Sequence, residues 1–244
     1  MVERYVSEMD TLRFGFKVAK INEFSDTPLK TIQSFKQKGI KLVISRVSTS
    51  DVGLINEMEE VGFRLKDVQV TYNFDLEKNS PPSVPDNSYK YRSFKQSDTS
   101  SIVSIAAESF QDYGHYSKNE KTEVANTSRI YEDWARRSCL NKDIADNIIV
   151  AEKSGNVAGF LSYKVLMERQ SRYAAGVMGA VANDHREGGV FLGINIASLH
   201  WAKKEGMRRV ENNVLVTNLP VNKTYISLGY RIIRSETTFH CWLE

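Results

Sequence analysis

An internal repeat constrains the fold of this chain more than any other feature of its sequence. Residues 39 to 72 align without a gap to residues 206 to 239, each position pairing with the one 167 further on (39 + 167 = 206). The identical pairs are Gly39 and Gly206, Val43 and Val210, Val47 and Val214, Gly62 and Gly229, Arg64 and Arg231, and Thr71 and Thr238. Both copies read as a strand, a short helix and a β-rich tail. The repeat therefore predicts two related strand–helix–strand units.

A proline-rich segment divides the chain between the two copies. Three of the five prolines lie in EKNSPPSVPDNS, residues 77–88, among polar and turn-forming residues, and this indicates a linker. We therefore expect a smaller domain over residues 1–76 and a larger one over residues 89–244. The first copy has Met58 where the second has Tyr225, so chemistry is expected in the larger domain, with the smaller one structural.

Charge and motif content exclude several classes of protein. The 33 basic and 30 acidic residues are too balanced for a nucleic-acid-binding protein. Two distant cysteines and four scattered histidines predict no metal site. No apolar stretch reaches membrane-spanning length, and the charged start MVERYVSEMD is unlike a signal peptide, so a cytoplasmic location is expected. The chain also lacks GxxxxGK[ST], GxSxG and GxGxxG motifs.

Two adjacent glycines, Gly188 and Gly189, precede a predicted helix in the segment HREGGVFLGIN. The helix is expected from about Val190 to Glu205, because apolar residues recur on one face and Gly206 follows its basic last turn. The first N–H groups of a helix are unpaired and lie at the positive end of its dipole. Glycines let a phosphate approach them closely, so the segment predicts a phosphate cradle, with a simple turn as the alternative.

A second cluster, NLPVNKTYISLGY at residues 218–230, places Tyr225 on a helical face with Val221 and Leu228. A buried core tyrosine is one interpretation. A phenol with a pKa near 10 can also donate a proton to a departing thiolate, whose conjugate acid has a pKa of about 8.5. Together the two clusters favour a reaction in which a phosphorylated thioester carrier loses its acyl group.

The elements between the linker and the glycine pair predict a mixed α/β domain. A strand at YKYRSF is followed by helices around residues 98–110 and 120–138. Three strands come next: NIIVAEKSG, NVAGFLSYKVL and AAGVMGAVAN. The residues Ser154, Gly155 and Asn156 predict a hairpin between the first two of them.

The larger domain resembles the GNAT superfamily of acyl-CoA-dependent N-acyltransferases. The family pattern V-x-P-x-x-R-G-x-G-[IV]-G-x-x-L is matched by Val181, Asn183 in place of its proline, Arg186, Gly189 and Val190. The later pattern N-x-x-A-x-x-x-Y-x-x-x-G-F is matched by Asn218, Val221, Tyr225, Gly229 and Tyr230. The resemblance implies a GNAT fold with a mostly antiparallel central sheet, preceded by a smaller, partial GNAT-like N-terminal domain.

The resemblance also implies an acyl-CoA site and no metal. The backbone of residues 181–183 would pair with the pantetheine arm, amides of residues 187–191 would hold the pyrophosphate, and Tyr225 would protonate the thiolate. The implied coenzyme-binding residues are Val181, Asn183, Arg186, Glu187, Gly188, Gly189, Val190, Phe191, Asn218 and Asn222. Acetyl-CoA or another acyl-CoA is the expected co-substrate.

A narrower likeness links the chain to TDP-fucosamine N-acetyltransferase-like proteins, through MDTLRFGFKVAKI and residues 109–138. It implies an acceptor amine on a nucleotide-linked amino sugar, as in polysaccharide biosynthesis. The acceptor-binding residues it suggests are Phe110, Tyr113, His115, Tyr116, Tyr131 and Trp134, with Asp112 or His115 as the base. An acetyltransferase of peptide amines and a non-catalytic acyl-CoA-binding module are the alternatives. The acyl group stays open, and so does a homodimer.

Overall fold

The computed structural model describes residues 2–117 and 127–243, which form a mixed α/β fold. Its strands are β1 (Val18–Ile21), β2 (Leu42–Ser48), β3 (Arg64–Asp75), β4 (Lys90–Ser93), β5 (Asn147–Lys153), β6 (Asn156–Glu168), β7 (Ser171–Val181), β8 (Arg209–Leu215) and β9 (Arg231–Trp242). Its helices are α1 (Glu8–Phe14), α2 (Pro28–Gln37), α3 (Val52–Glu60), α4 (Thr99–Ser109), α5 (Gly114–Ser117), α6 (Thr127–Leu140), α7 (Val190–Lys204) and α8 (Leu219–Ser227). Residues 120–126 of the second helix predicted after the linker lie outside the described residues. None of these helices is long and apolar enough to cross a membrane.

The internal repeat is confirmed by the bounds of the elements. In the first copy, β2, α3 and β3 begin and end 167 residues before β8, α8 and β9 of the second copy (for example, 42 + 167 = 209 and 75 + 167 = 242). The strand before each copy also matches, because β1 pairs in parallel with β2 and β7 pairs in parallel with β8. The two copies therefore share one strand–helix–strand–helix–strand plan.

The described residues pack into two compact units, and neither is continuous in sequence. Residues 2–70, 114–117 and 234–243 form the first unit, whereas residues 71–113 and 127–233 form the second. Strand β3 begins in the first unit and ends in the second, whereas β9 begins in the second unit and ends in the first. The division into residues 1–76, 77–88 and 89–244 stays a prediction, since the units combine segments from both sides of the proline-rich stretch.

Each unit completes its sheet with a strand from the other half of the sequence. The first unit has the order β1-β2-β9-β3, so the last strand of the chain lies beside β2 and pairs with it antiparallel. The second has the order β3-β8-β7-β6-β5-β4. Most of the pairings are antiparallel, as predicted.

The core of the first unit explains why the first copy needs no tyrosine at its helix. Met58 of α3 is fully buried, together with Val43, Phe63 and Phe239. An apolar side chain buried in this way contributes about 1.5–3 kcal/mol to folding. Met58 thus fills the core of the first unit, at the position that Tyr225 occupies in the second copy of the repeat.

Candidate active site

The second unit opens between its two parallel strands. Strand β7 pairs with β8 only from Tyr173 to Ala175, although it continues to Val181 alongside β6. Tyr163 of β6 pairs with Gly176 and Ser162 pairs with Met178, so Val177 is an extra residue in β7. A bulge of this kind bends its strand. The bend coincides with the point where β7 leaves β8.

After Ala175, strand β7 has no partner strand on the side of β8. The N–H groups of Met178 and Ala182 are directed to the β6 side, where they donate to Ser162 Oγ (3.1 Å) and to the Ala158 carbonyl (2.9 Å). Successive peptide groups of a strand alternate in direction, so those of Gly179 and Val181 are directed towards β8. On that side the Val181 carbonyl accepts a hydrogen bond from Ser109 Oγ at 3.5 Å. This edge can pair with an extended ligand, as predicted for the pantetheine arm.

Helix α7 begins beside this edge, and no side chain caps its N-terminus. Its N-cap is Gly189, which has a φ of 67° and no side chain to cap the helix. The preceding residues Arg186, Glu187 and Gly188 are exposed, whereas Val190 is fully buried. The first turn of a helix directs unpaired N–H groups outward. The Gly188 N–H already donates to the His185 carbonyl at 3.2 Å, so the N–H groups of residues 189–191 are the ones that could hold a phosphate group.

The two glycines of the predicted phosphate cradle are required for different structural reasons. Gly189 adopts the left-handed conformation, which strains any residue with a side chain. Gly188 is held close to Tyr89, and a Cβ there would lie 2.7 Å from the Tyr89 hydroxyl. Tyr89 itself is fixed by a 3.0 Å hydrogen bond to Nδ1 of His185.

Helix α2, the counterpart of α7 in the first unit, has no comparable cradle. Its N-cap residue Thr27 accepts a hydrogen bond from the Lys30 N–H, so one of the donors is already used. The carboxylate of Asp26 accepts from the Thr27 N–H at 2.9 Å and adds a negative charge. A phosphate group is therefore disfavoured at α2.

Phe191 packs away from the cradle. Its ring meets the ring of Tyr225 edge-on, with 5.8 Å between the centroids. The side chain thus joins α7 to α8, and the backbone N–H of Phe191 stays at the open helix start. The glycine that the family pattern has at this position is not required for access to the amide.

Tyr225 lies in an aromatic cluster beneath α8. It is 3% exposed, and its ring centroid is 5.1 Å from that of Tyr72 and 5.0 Å from that of Tyr230. Burial raises the pKa of Tyr225 well above 10, with smaller contributions from Tyr163 and other tyrosines. The hydroxyl is therefore protonated at neutral pH, and no described residue hydrogen-bonds to it. It can donate to a ligand atom that carries developing negative charge.

The start of α8 is built around two asparagines that the sequence assigned to the coenzyme. Asn218 caps the helix by accepting from the Val221 N–H. Asn222 Nδ2 donates to the carbonyls of Leu215 (2.9 Å) and Asn218 (2.7 Å), and its Oδ1 accepts from Tyr72 at 3.0 Å. The Asn222 amide thus positions Tyr72 against Tyr225, and its assignment to the coenzyme stays a prediction.

Replacing Asn222 tests this positioning role. We expect Asn222→Ala to lower the free energy of unfolding by about 2 kcal/mol, because it leaves the Tyr72 hydroxyl without its partner. Urea unfolding measures the change, and Lys223→Ala on the exposed side of α8 is the control, expected to lie within about 0.5 kcal/mol of wild type. Wild-type stability combined with weaker acyl-CoA binding would instead favour the coenzyme role.

The predicted acceptor residues of the second unit form a packed stack. Phe110 and Tyr131 are buried and stacked with 4.6 Å between centroids, and Trp134 lies parallel to Tyr131 at 6.2 Å. The Tyr131 hydroxyl donates to the Tyr113 carbonyl. Asp112 is exposed nearby in sequence. The stack fixes the end of α4 against α6.

His115 and Tyr116 belong to the first unit, whereas Tyr225 belongs to the second. His115 Nδ1 and His240 Nε2 are 2.9 Å apart, and the Tyr116 hydroxyl donates to the buried carboxylate of Asp10. Burial, together with His240 and Arg46, lowers the pKa of His115 well below 6.5. The imidazole is therefore neutral, as a base must be, but one ring nitrogen is already engaged. Its role as base stays a prediction.

The buried histidine pair predicts a loss of stability in acid. Burial also lowers the pKa of His240 to about 3, so both histidines are neutral in the folded chain and bind protons near pH 6.5 when it unfolds. The free energy of unfolding should have its full value above about pH 6.5. At lower pH it should decrease by up to about 1.4 kcal/mol per pH unit for each histidine. Urea unfolding from pH 7 to pH 4.5 measures this slope. His240→Phe should make it shallower and the exposed His200→Phe should not; equal slopes would contradict the assignment.

The sequence analysis missed Tyr72, Tyr163 and Asn212 around the opening. Tyr72 comes from β3, which the repeat assigned to the N-terminal copy, and no local pattern placed it beside Tyr225. Tyr163 and Asn212 read as ordinary strand residues. In the part of the chain that the structure describes, no three histidine, cysteine or acidic side chains group as metal ligands.

Comparisons with known proteins agree on the family. The sequence model described as "Acetyltransferase (GNAT) family" matches residues 101–230, more than half of the chain. No curated protein matches. A tandem GNAT protein from the clavulanic acid biosynthesis pathway is 13% identical with a TM-score of 0.66, covering 93% of this chain and 75% of its own.

Two further structures share the fold at low identity. A GCN5-related N-acetyltransferase from Kribbella flavida is 11% identical with a TM-score of 0.62, covering 92% of this chain and 81% of its own. One from Sphaerobacter thermophilus is 14% identical with a TM-score of 0.56 and covers 83% of this chain, which spans only 60% of that protein. The predicted GNAT fold is confirmed. The chain belongs to the GNAT family of acetyltransferases, enzymes that transfer an acyl group from acyl-CoA to an amine.

Proposed function

We propose that the second unit carries out direct acyl transfer in the opening between β7 and β8. The observation that supports it is the convergence of three features: the edge of β7 that β8 leaves unpaired at Gly179 and Val181, the start of α7 that no side chain caps, and the protonated hydroxyl of Tyr225. The edge pairs with the pantetheine arm, and the helix start holds the pyrophosphate. Arg186, which is exposed there and has no described ion pair, adds a positive charge.

The acceptor amine attacks the thioester carbon once it is neutral. A backbone N–H of β7 stabilises the oxyanion, the C–S bond breaks, and Tyr225 donates to the departing sulfur. Because its pKa is raised, Tyr225 is a weak acid and acts first as a hydrogen-bond donor. Proton transfer is complete only once the sulfur has gained most of the negative charge.

The acceptor we propose is the amino group of a nucleotide-linked amino sugar, in the cytoplasm. The likeness at Phe110, His115, Tyr131 and Trp134 supports this choice. An assay of acetyl-CoA with TDP-amino sugars and, in parallel, with peptide amines tests it. Product from the sugars supports the proposal, and product from peptides alone would replace the acceptor while keeping the reaction.

The cradle is tested by placing a negative charge in it. Gly189→Asp should raise the Kd for acetyl-CoA at least tenfold, because the carboxylate repels the pyrophosphate at the helix start. Gly155→Asp is the matched control, since Gly155 is also a left-handed glycine with open space around it but lies in the β5–β6 hairpin. Calorimetry measures both affinities. Equal Kd values for the two variants would place the coenzyme elsewhere.

A further inference from the structure

We propose that the inner end of the opening binds a hydroxyl group on the acyl chain, so that the enzyme prefers a short hydroxyacyl-CoA to the unsubstituted acyl-CoA. This inference rests on the proposed function. Three side chains form the binding surface, which we call the polar floor: Tyr163 of β6, Asn212 of β8 and Tyr230 just before β9.

The polar floor is buried, and its polar atoms lack well-directed hydrogen bonds. Tyr163 is 0%, Asn212 3% and Tyr230 4% exposed. The two phenol oxygens and Asn212 Nδ2 make no hydrogen bond of good distance and angle to a described residue. Leaving a buried polar atom unpaired is costly, and native proteins seldom do so without a functional reason. Three such atoms in one place indicate a ligand group that completes them.

The three side chains are neighbours. The Asn212 amide lies within hydrogen-bonding reach of both phenols, and Ser198 of α7 lies within reach of the Tyr163 hydroxyl. Burial raises the pKa of Tyr163 to about 12, so its hydroxyl is neutral and can donate or accept. The ring of Tyr163 packs against Trp201 of α7, with 5.7 Å between centroids, and this fixes the direction of its hydroxyl.

The polar floor lies where β7 and β8 separate. The last paired residues are Ala175 and Glu211, and the next residues along the two strands are Gly176 and Asn212. These are in close contact: a Cβ on Gly176 would lie 2.1 Å from Asn212 Oδ1. An acyl group whose thioester lies between the separated strands extends towards this point. Its tail therefore meets the polar floor.

A neutral hydroxyl suits these groups. The amide Nδ2 donates, whereas each phenol can donate or accept, so the set satisfies both the oxygen and the hydrogen of a hydroxyl. A plain methyl offers none of the three a hydrogen bond. The transfer itself is unchanged: the N–C bond forms, the C–S bond breaks, and the hydroxyl takes no part.

Calorimetry of the full chain with 3-hydroxybutyryl-CoA and butyryl-CoA tests the proposal without an acceptor. We expect the hydroxylated ligand to bind at least tenfold more tightly. Tyr163→Phe should remove most of that preference, whereas Tyr173→Phe, which lies on β7 under Arg209, should keep it. Asn212→Leu gives the same test should Tyr163→Phe fail to fold.

A second measurement uses the free protein. Tyr163→Phe removes a buried hydroxyl that makes no well-directed hydrogen bond, so its Tm should equal or exceed that of wild type. Equal affinity for the two ligands, unchanged by Tyr163→Phe, would overturn this inference and leave the proposed function intact. A lower Tm without any ligand preference would show that the hydroxyl is paired in the free protein and would also overturn it. Absence of binding by every acyl-CoA would overturn the proposed function instead.

Discussion

A fragment of residues 89–244 is expected to be unfolded, although the sequence predicts a domain over that range. The second unit includes the end of β3, which lies beside β8. Tyr72 and Phe74 of that strand are 2% and 3% exposed. Their removal would cost about 2–3 kcal/mol each in buried apolar surface and would leave the edge of β8 open. Such a loss is comparable with the whole stability of many domains. Circular dichroism with thermal melting measures it.

Co-expression supplies the control for this experiment. Residues 1–82 and 83–244, expressed together, retain both β3 and β9 and are cut only within the proline-rich segment, whose residues are largely exposed. We expect the two fragments to associate into a soluble complex that binds acyl-CoA. A cooperative melt of residues 89–244 alone, with acyl-CoA binding intact, would show that the second unit does not need β3. It would support the division of the chain into residues 1–76, 77–88 and 89–244.

Tyr225→Phe is expected to lower kcat by about 10²-fold, since it removes the donor to the departing sulfur. The Kd for acyl-CoA should stay within about twofold of wild type, because the phenyl ring keeps the packing against Tyr72 and Phe191. Tyr173→Phe is the control and should have wild-type kcat. Steady-state kinetics with the amine found by the acceptor screen measures both variants, and an unchanged kcat in Tyr225→Phe would refute the donor role.

The pH dependence of kcat follows from the same residue. Burial raises the pKa of Tyr225 well above 10. Its proton is therefore present throughout the neutral range and is lost only when the pH rises through that raised pKa. The wild-type enzyme should therefore show no fall in kcat due to Tyr225 between pH 7 and pH 10. An alkaline fall with a midpoint near pH 9 that Tyr225→Phe abolishes would contradict this assignment.

Local sequence signals predicted the local elements well. Helix α7 extends from Val190 to Lys204, as its apolar spacing and Gly206 indicated. The hairpin between β5 and β6 has positive φ at Ser154 and Gly155, which its turn residues predicted. These features depend on contacts between near neighbours in the chain. Short segments of the sequence are therefore sufficient to predict them.

The site was only partly predictable for the opposite reason. Tyr72 packs against Tyr225 and donates a hydrogen bond to Asn222, which is 150 residues further along the chain. The buried pair of His115 and His240 spans 125 residues. No local signal predicts either contact. The assignment of His115 to the acceptor site came from the resemblance and stays a prediction, and the repeat left Tyr72 in the N-terminal copy.

The sequence by itself determined the repeated strand–helix–strand plan, the glycine start of α7 and the position of Tyr225, because periodicity, turn chemistry and capping act over a few residues. Only the tertiary structure decided that β3 completes the second unit and β9 the first. Either strand has the same alternation and could pair with the strand of its own copy. Which pairing forms depends on the side chains buried by the whole sheet, and no single segment contains that information.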